Sequence, residues 1–262
     1  MILVPKEHYS LIKNKLEEAP TFVFSVLDST IEGTVYANCA DYKSLLIQTD
    51  SGLYYIAGQT IDELLIQNLV KFFETSVYQA KRFTLFSANP AWDQVIEKQL
   101  NTRVGKIQRY AFSFDAMKYE SRRRSDNYEY EVAKIDPLDI KHCLAFDKKY
   151  YDEYWDSTHN FIQNGIGFCV KDSGKIISEC VSIFKSTKYA EIDIVTDLNY
   201  RGKGLASIVA EQFIDYCLAE TIQPRWDCDV ANSASINLGS KLSFANARKY
   251  SVYFKNSQNV QR

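Results

Sequence analysis

Arg201-Gly202-Lys203-Gly204-Leu205-Ala206 is the stretch that decides the fold, because it lies between a predicted strand and a predicted helix. Upstream, residues 189–197 read YAEIDIVTD and alternate between two faces, one apolar and one partly polar, as in a β-strand. Downstream, apolar side chains recur at helical spacing and predict a helix over residues 204–220. The glycines therefore fall at the first turn of that helix.

This glycine loop, residues 201–206, has the features of a phosphate site. Gly202 and Gly204 lack a Cβ, so the backbone can approach a ligand closely. The free N–H groups of a helix start attract an anion, and Arg201 and Lys203 add positive charge. The alternative is an ordinary strand-to-helix turn, since short glycine patterns often occur by chance. A Walker loop and a Gly-x-Gly-x-x-Gly dinucleotide fingerprint are absent from the sequence.

The strand, the glycine loop and the helix together resemble the acetyl-CoA pyrophosphate motif of the GCN5-related N-acetyltransferases (GNAT). The rest of the C-terminal half follows the element order of that family. The predicted elements are a strand at 130–136, helices at 137–155 and 157–164, a hairpin of 166–171 and 175–185, a strand at 225–231 and a helix at 232–244. The resemblance implies an α/β fold with a mixed sheet and an N-acetyltransferase activity that uses acetyl-CoA as cosubstrate.

The resemblance also implies which residues bind CoA. The expected contacts are the backbone of Val195 and Thr196 and the loop residues Arg201, Gly202, Lys203, Gly204, Leu205 and Ala206. Asn232 stands where the family has an Asn that bonds the pantetheine arm, although it can equally serve only to cap the helix that it opens. The tyrosine that often protonates the departing thiolate would fall at Gly239. The general acid is therefore unassigned, with Tyr250 and Tyr253 as weak candidates.

Two carboxylates on the predicted strand are candidates for the general base. An amine is protonated at neutral pH and must lose a proton before it attacks a thioester. Glu191 and Asp193 are two residues apart and share one face of the strand. Histone-type relatives use a glutamate in a sequence similar to Ala190-Glu191-Ile192, which favours Glu191, with partial burial beside Asp193 to raise its pKa. Alternatively, Glu191 faces solvent or pairs with a lysine such as Lys185.

The acceptor side is predicted from residues 150–156, which read YYDEYWD. Asp152, Tyr154 and Trp155 are the expected contacts, because carboxylates and aromatic faces suit a small cationic amine. A solvated helix end with a few core aromatics explains the same residues equally well.

The N-terminal half repeats the same element order. Its predicted elements are a hairpin of 22–27 and 31–38, a second hairpin of 44–50 and 53–57, a helix at 61–74, a strand at 82–87 and a helix at 89–100. The corresponding turn, Ala57-Gly58-Gln59-Thr60, has no phosphate loop. We therefore predict a degenerate GNAT-like domain over 1–120 that does not bind CoA, and a catalytic GNAT domain over 125–262. The alternative for the first half is an unrelated α/β cap.

The composition and net charge of the chain limit the kinds of molecule that we expect it to bind. The net charge of −2 over 262 residues gives no general attraction to nucleic acid, and the basic cluster 122–124 is interpreted as a solvated linker. The six cysteines and three histidines are dispersed, so no metal site is predicted. No apolar run approaches about 18 residues. We expect a cytoplasmic monomer or homodimer with a small-molecule amine acceptor and no membrane partner; the functional alternative is a non-catalytic CoA-binding or interaction module.

Overall fold

A computed structural model describes residues 1–16, 18–122 and 130–256 of the chain. The chain forms two compact units, one of Met1–Tyr110 with Lys249–Arg262 and the other of Ala111–Arg248. Most of the basic cluster at 122–124 lies outside the described residues.

The first unit is an α/β unit whose strands follow the predicted order. Its elements are β1 (Ile2–Leu3), α1 (Tyr9–Lys13), α2 (Thr21–Leu27), β2 (Gly33–Ala37), β3 (Ser44–Thr49), β4 (Leu53–Gly58), α3 (Glu63–Tyr78), β5 (Thr84–Ser87), α4 (Pro90–Leu100) and β6 (Val104–Phe114), which continues into the second unit. Strands β1 to β4 pair antiparallel in sequence order, and β4 pairs with β5 in parallel. Leu65 and Phe73 of α3 and Trp92 of α4 are buried in its core.

One predicted strand of the first unit is a helix. Residues 22–27 form most of α2, in which every side chain is buried, and the helix begins directly after Pro20. A short run that is apolar on all sides carries neither a strand period nor a helix period, so its periodicity cannot distinguish the two. The short helix α1 also had no counterpart in the sequence prediction.

The second unit contains the glycine loop. Its remaining elements are α5 (Ala116–Glu120), β7 (Glu131–Lys134), α6 (Lys148–Tyr154), α7 (Thr158–Asn164), β8 (Gly167–Asp172), β9 (Lys175–Lys185), β10 (Tyr189–Thr196), α8 (Leu205–Ala219), β11 (Gln223–Asp229), α9 (Ser233–Lys241) and β12 (Phe244–Lys255), whose end belongs to the first unit. The strand order is β11-β10-β9-β8-β7. Helix α8 packs Val209, Phe213 and Cys217 into the core of this unit.

Helix α6 is shorter than predicted. The sequence predicts a helix over 137–155, but α6 begins at Lys148 and only a 3-10 turn, Asp139–His142, precedes it. The Asp147 carboxylate accepts a hydrogen bond from the Tyr150 amide at 3.0 Å, which caps the helix at this point. The predicted β8–β9 hairpin is confirmed, with Ser173 and Gly174 at positive φ in its turn.

The predicted domain boundaries differ from the two units. The first unit consists of Met1–Tyr110 and Lys249–Arg262, whereas the predicted catalytic domain includes all of residues 125–262. In β12, Val252, Tyr253 and Phe254 pair antiparallel with Phe86, Leu85 and Thr84 of β5. The Tyr253 side chain is buried, and its hydroxyl donates to Glu97 at 2.9 Å. Pairing between strands so distant in sequence leaves no local signal that a boundary analysis could detect.

Four of the six cysteines are buried, and all six are free thiols. Burial raises the pKa of Cys169 and of Cys217 to about 12. Within the part of the chain that the structure describes, no group of three or more potential metal ligands comes together. Each described helix is too short or too polar to cross a lipid bilayer.

We predict that Tyr253→Ala destabilises the first unit by about 3 to 5 kcal/mol, because it removes a buried aromatic ring and leaves the space empty. Hydrogen exchange of the β5 amides measures this loss directly. Phe254→Ala is the matched control, because Phe254 is 38% exposed in the same strand. Equal loss of protection in the two variants would contradict the assignment of the last strand to this core.

Candidate functional site

The site forms where the two parallel strands of the second unit stop pairing. The ladder between β10 and β11 has only three pairs and ends at Glu191 opposite Arg225. Strand β10 nevertheless continues to Thr196, and β11 continues to Asp229. A bulge marks the same position, since the β9 partner changes from Phe184 to Ser182 between Glu191 and Ile192. Beyond Glu191, β10 therefore has an open edge on its β11 side.

The pleat of β10 determines which amides face that open edge. Asp197 N donates to Ile177 O of β9 at 2.9 Å, and residues two apart on a strand point their N–H groups in the same direction. The Val195 amide therefore belongs to the β9 side, whereas the amides of Ile194 and Thr196 point to the open edge. This corrects the expectation that Val195 supplies a donor to CoA.

The glycine loop has the backbone conformation that requires glycine. Gly202 and Gly204 have φ angles of 79° and 82°, and Gly204 is the N-cap residue of α8. A Cβ at either position would meet no atom within 4 Å, so open space surrounds both. Leu205 is buried and fixes the start of α8 in the core. The first N–H groups of a helix thus lie beside space that can take a ligand.

Charged and aromatic side chains flank the loop. Arg201 Nε donates to Thr196 O at 3.4 Å, which joins the loop to the end of β10. Lys203 Nζ lies 4.7 Å from the centroid of the Tyr200 ring. The Tyr200 hydroxyl in turn donates to Asp172 Oδ2 at 2.9 Å. Two cations are therefore present on the exposed side of the loop, as the sequence predicts.

Asp193 is held by two donors at the open edge. The Tyr150 hydroxyl of α6 donates to Asp193 Oδ2 at 2.9 Å, and Ile194 N donates to Asp193 Oδ1 at 3.0 Å. Burial, and then the negative charge of Asp193, raise the pKa of Tyr150 well above its ordinary value. Tyr150 therefore remains protonated and acts as a hydrogen-bond donor to the carboxylate. Sequence reasoning missed this role of Tyr150.

Glu191 has a different electrostatic environment. It lies opposite Arg225, whose guanidinium carbon is 3.5 Å from the centroid of the Tyr189 ring. Burial lowers the pKa of Arg225, whereas Tyr189, Glu191 and Asp227 act in the opposite direction. Glu191 therefore lies within electrostatic range of the Arg225 guanidinium. The two carboxylates share a face, but only Glu191 has this cation opposite it in register.

The predicted acceptor residues separate into core and accessible groups. Trp155 is fully buried and its Nε1 donates to Ser182 O at 2.9 Å, so it is a core residue and the prediction of an acceptor contact is wrong. Asp152 is exposed and forms an i,i+4 ion pair with Lys148. Tyr154 is half-buried, with its ring packed against Tyr150.

Glu179 is a functional candidate that sequence reasoning did not single out. It is 1% exposed in β9, and its Oε1 accepts from Ala145 N at 2.8 Å and Phe146 N at 3.1 Å. Burial raises the pKa of Glu179, and the backbone donors partly oppose this. Its carboxylate fixes the segment that leads into α6 and hence the position of Tyr150. A lone glutamate within the apolar run Lys175–Lys185 was the available signal.

Asn232 caps α9, since its Oδ1 accepts from Ser235 N at 3.0 Å. The cap uses the side-chain oxygen, and the side-chain NH₂ group is the donor that a pantetheine contact needs. In the same helix, a Cβ at Gly239 would lie 3.0 Å from Trp226 Nε1. Glycine therefore lets α9 lie directly against the indole, which explains why no tyrosine stands there.

The tyrosines of β12 belong to the first unit and not to the unit that carries the glycine loop. Tyr250 Oη accepts from Arg109 Nε at 3.2 Å, and the Tyr253 hydroxyl donates to Glu97. Their assignment as weak candidates for the general acid stays a prediction.

The first unit has the same strand pair with a longer ladder, and only Ala57 and Gly58 of β4 extend beyond the last pair. The parallel ladder of β4 and β5 continues to Ile56 opposite Ser87, and Ala88 N then donates to Ile56 O at 3.2 Å. Trp92 Nε1 donates to Gly58 O at 3.0 Å at the turn that corresponds to the glycine loop. A cavity of about 570 Å³ lies at the ends of these strands, and its lining includes Ala57, Gly58 and Ala88.

Comparison with known proteins agrees with this architecture. A match to the GNAT acetyltransferase family spans residues 11–253. The uncharacterized N-acetyltransferase YdfB of Bacillus subtilis (strain 168) is 39% identical over 252 residues, which are 95% of this chain and 96% of that protein.

Solved structures share the fold over the whole chain. A GCN5-related N-acetyltransferase-like protein from Streptococcus suis 89/1591 superposes with a TM-score of 0.70 at 23% identity, covering 95% of this chain and 99% of the other. A tandem GNAT protein from the clavulanic acid biosynthesis pathway gives a TM-score of 0.64 at 9% identity, covering 97% of each chain. The predicted resemblance is thus confirmed, and the chain belongs to the GNAT acetyltransferase family.

Proposed function

We propose that the protein is an acetyl-CoA-dependent N-acetyltransferase that transfers an acetyl group to the primary amine of a small cationic acceptor. The observation that carries this proposal is the open edge of β10 next to a glycine loop in the left-handed conformation. A thioester needs backbone donors where the strand is unpaired, and a pyrophosphate needs the N–H groups of a helix start. Both features occur within one short segment of the second unit.

The residues present fit an acyl-CoA substrate. Arg201, Lys203 and the first amides of α8 would hold the pyrophosphate. The amides of Ile194 and Thr196 would bind the thioester carbonyl and the pantetheine arm, with Asn232 as a further donor. In the first unit only Ala57 and Gly58 of β4 extend beyond the last pair, so we propose a single CoA site per chain.

The transfer is a balanced acyl exchange. The ammonium group of the acceptor gives one proton to a carboxylate, and the neutral amine attacks the thioester carbon. The new C–N bond forms and the C–S bond breaks. The amine nitrogen loses its second proton to solvent, and water protonates the departing thiolate. No side chain at the Gly239 position assists this last step.

The geometry favours Asp193 over Glu191 as the proton acceptor. Asp193 lies at the open edge beside Ile194 N, whereas Glu191 lies opposite the cation Arg225. This reverses the roles expected from the sequence. Glu191 then contributes negative charge that attracts a cationic acceptor.

We infer the kind of acceptor from the charged and aromatic side chains near Asp193. Glu191 and Asp193 are two carboxylates on one face of β10, and the cations Arg225 and Lys188 both lie against the Tyr189 ring beside it. Tyr154 of α6 packs beside Tyr150, which itself reaches Asp193. A small molecule with a positive charge beside its reacting amine fits this surface.

A non-catalytic CoA-binding module is the second candidate, and it is favoured by the glycine at the usual tyrosine position. Thiol release from acetyl-CoA with a panel of amines separates the two functions. Turnover with a cationic amine supports the enzyme. Binding of acetyl-CoA without turnover of any amine supports the module.

Gly204→Val should weaken CoA binding by tenfold or more, which is about 1.4 kcal/mol, because a β-branched residue does not adopt the required positive φ. Isothermal titration measures this, and the wild-type protein should bind one CoA per chain. Gly174→Val is the matched control, since Gly174 has a φ of 80° and equally open surroundings in the β8–β9 turn. Unchanged affinity of a folded Gly204→Val protein would contradict the loop assignment.

Asn232→Asp should weaken CoA binding while it preserves stability, because aspartate keeps the capping oxygen but loses the NH₂ donor. Asn232→Ala should lose both the contact and about 1 kcal/mol of helix stability. Ser157→Ala removes the cap of α7 and serves as a control without an effect on CoA. If Asn232→Asp binds CoA like the wild type, the residue is a cap only.

Asp193→Asn should lower kcat by about 10² to 10⁴, the usual effect of removing a general base. Glu191→Gln should instead act mainly on KM for the cationic acceptor, because it removes charge without removing the base. Steady-state kinetics on the amine identified in the panel distinguishes them. A larger loss of kcat in Glu191→Gln than in Asp193→Asn would restore the assignment made from sequence.

A further inference from the structure

On the basis of the proposed function, we propose that Asp193 is a donor-sensing switch: its carboxylate occupies the Ile194 amide until the thioester carbonyl displaces it. Binding of the acyl donor would thereby release the base at the moment when it is needed. This switch would regulate the site in the same way for any acceptor.

The Ile194 N–H group has two possible acceptors, the Asp193 carboxylate and the carbonyl oxygen of a thioester bound at the open edge. Ile194 N lies on the open edge, where the strand alternation directs it toward a ligand. In the unliganded protein this amide donates to Asp193 Oδ1 at 3.0 Å. A single N–H cannot make a strong, linear bond to both a carboxylate and a carbonyl oxygen. A thioester that binds at the open edge must therefore compete with Asp193 for the same donor.

Losing this donor makes Asp193 a stronger base. A hydrogen bond to the charged form of a carboxylate lowers its pKa, so removal of the Ile194 bond raises it. The Tyr150 hydroxyl keeps its bond to Oδ2 and holds the freed carboxylate on the acceptor face.

Four titratable groups face Asp193 from α6 and β9, and one of them, the Tyr150 hydroxyl, donates to the charged form of Asp193 and so opposes a rise in its pKa. The four groups are Tyr150 and Tyr151 of α6 and Glu179 and Cys180 of β9. Burial raises the pKa of each, which keeps the tyrosines and the thiol uncharged near neutrality. The Glu179 carboxylate, when ionised, disfavours a second negative charge nearby and so adds to the basicity of released Asp193.

The test compares two ligands that differ in the carbonyl. Isothermal titration in buffers of different ionisation enthalpy gives the number of protons taken up when acetyl-CoA or S-ethyl-CoA binds. S-ethyl-CoA has the same length but no carbonyl oxygen, so it leaves the Ile194 amide with Asp193. We expect acetyl-CoA to take up more protons than S-ethyl-CoA, by a fraction of about one proton, over about pH 5 to pH 7, above the ordinary pKa of an aspartate.

Two variants and one spectroscopic measurement complete the test. Asp193→Asn should abolish the difference in proton uptake between the ligands, whereas Tyr150→Phe should keep it, because the Ile194 bond remains. In wild-type protein, the amide resonance of Ile194 should titrate with Asp193 and should shift with acetyl-CoA much more than with S-ethyl-CoA.

The switch is overturned if the two ligands take up equal numbers of protons, or if the difference survives in Asp193→Asn. It is also overturned if the Ile194 resonance responds equally to both ligands. Failure of both ligands to bind would instead contradict the proposed function, so the two ideas fail in different ways.

Discussion

The early end of the parallel ladder between β10 and β11 is the constraint on which the rest of the second unit depends. Paired strands satisfy their own backbone groups, so a sheet can bind a thioester by its edge only where pairing stops. Here pairing stops at Glu191 opposite Arg225, and a bulge in the neighbouring pair marks the same position. The unpaired amides, the glycine loop and Asp193 all follow within a few residues. In the function we propose, binding of the thioester, its polarisation and proton removal therefore share one strand.

The two units have the same element order but differ in how one pair of parallel strands is hydrogen-bonded. In the first unit the ladder reaches the end of β5 and leaves only Ala57 and Gly58 of β4 beyond it, and an indole bonds the turn where the second unit has its glycine loop. The difference lies in a few backbone hydrogen bonds and in the residues of one turn. A fold of this kind can thus keep its core while it lacks the unpaired strand edge and the glycine loop, with little change elsewhere.

The sequence predicted most of the second unit because its signals are local. The alternation of β10, the spacing of α8 and the turn at Ser173-Gly174 each occur within one element. The prediction was wrong where an outcome depended on tertiary context. The apolar run at 22–27 could be a strand or a helix, and Trp155 could line a pocket or fill the core. Arg225 opposite Glu191 is a register effect, which a single sequence does not reveal.

The C-terminal strand belongs to the same unit as the N-terminal residues, and this has a consequence for biosynthesis. The strand at Val252–Phe254 pairs with Thr84–Phe86, so the sheet of the first unit lacks a member until nearly the whole chain has left the ribosome. Multidomain chains commonly fold in order from the N-terminus during synthesis. Here the N-terminal unit must wait for its C-terminal strand, with β5 lacking that partner in the interval. The strand that completes the first unit is therefore translated after all the other described elements of both units.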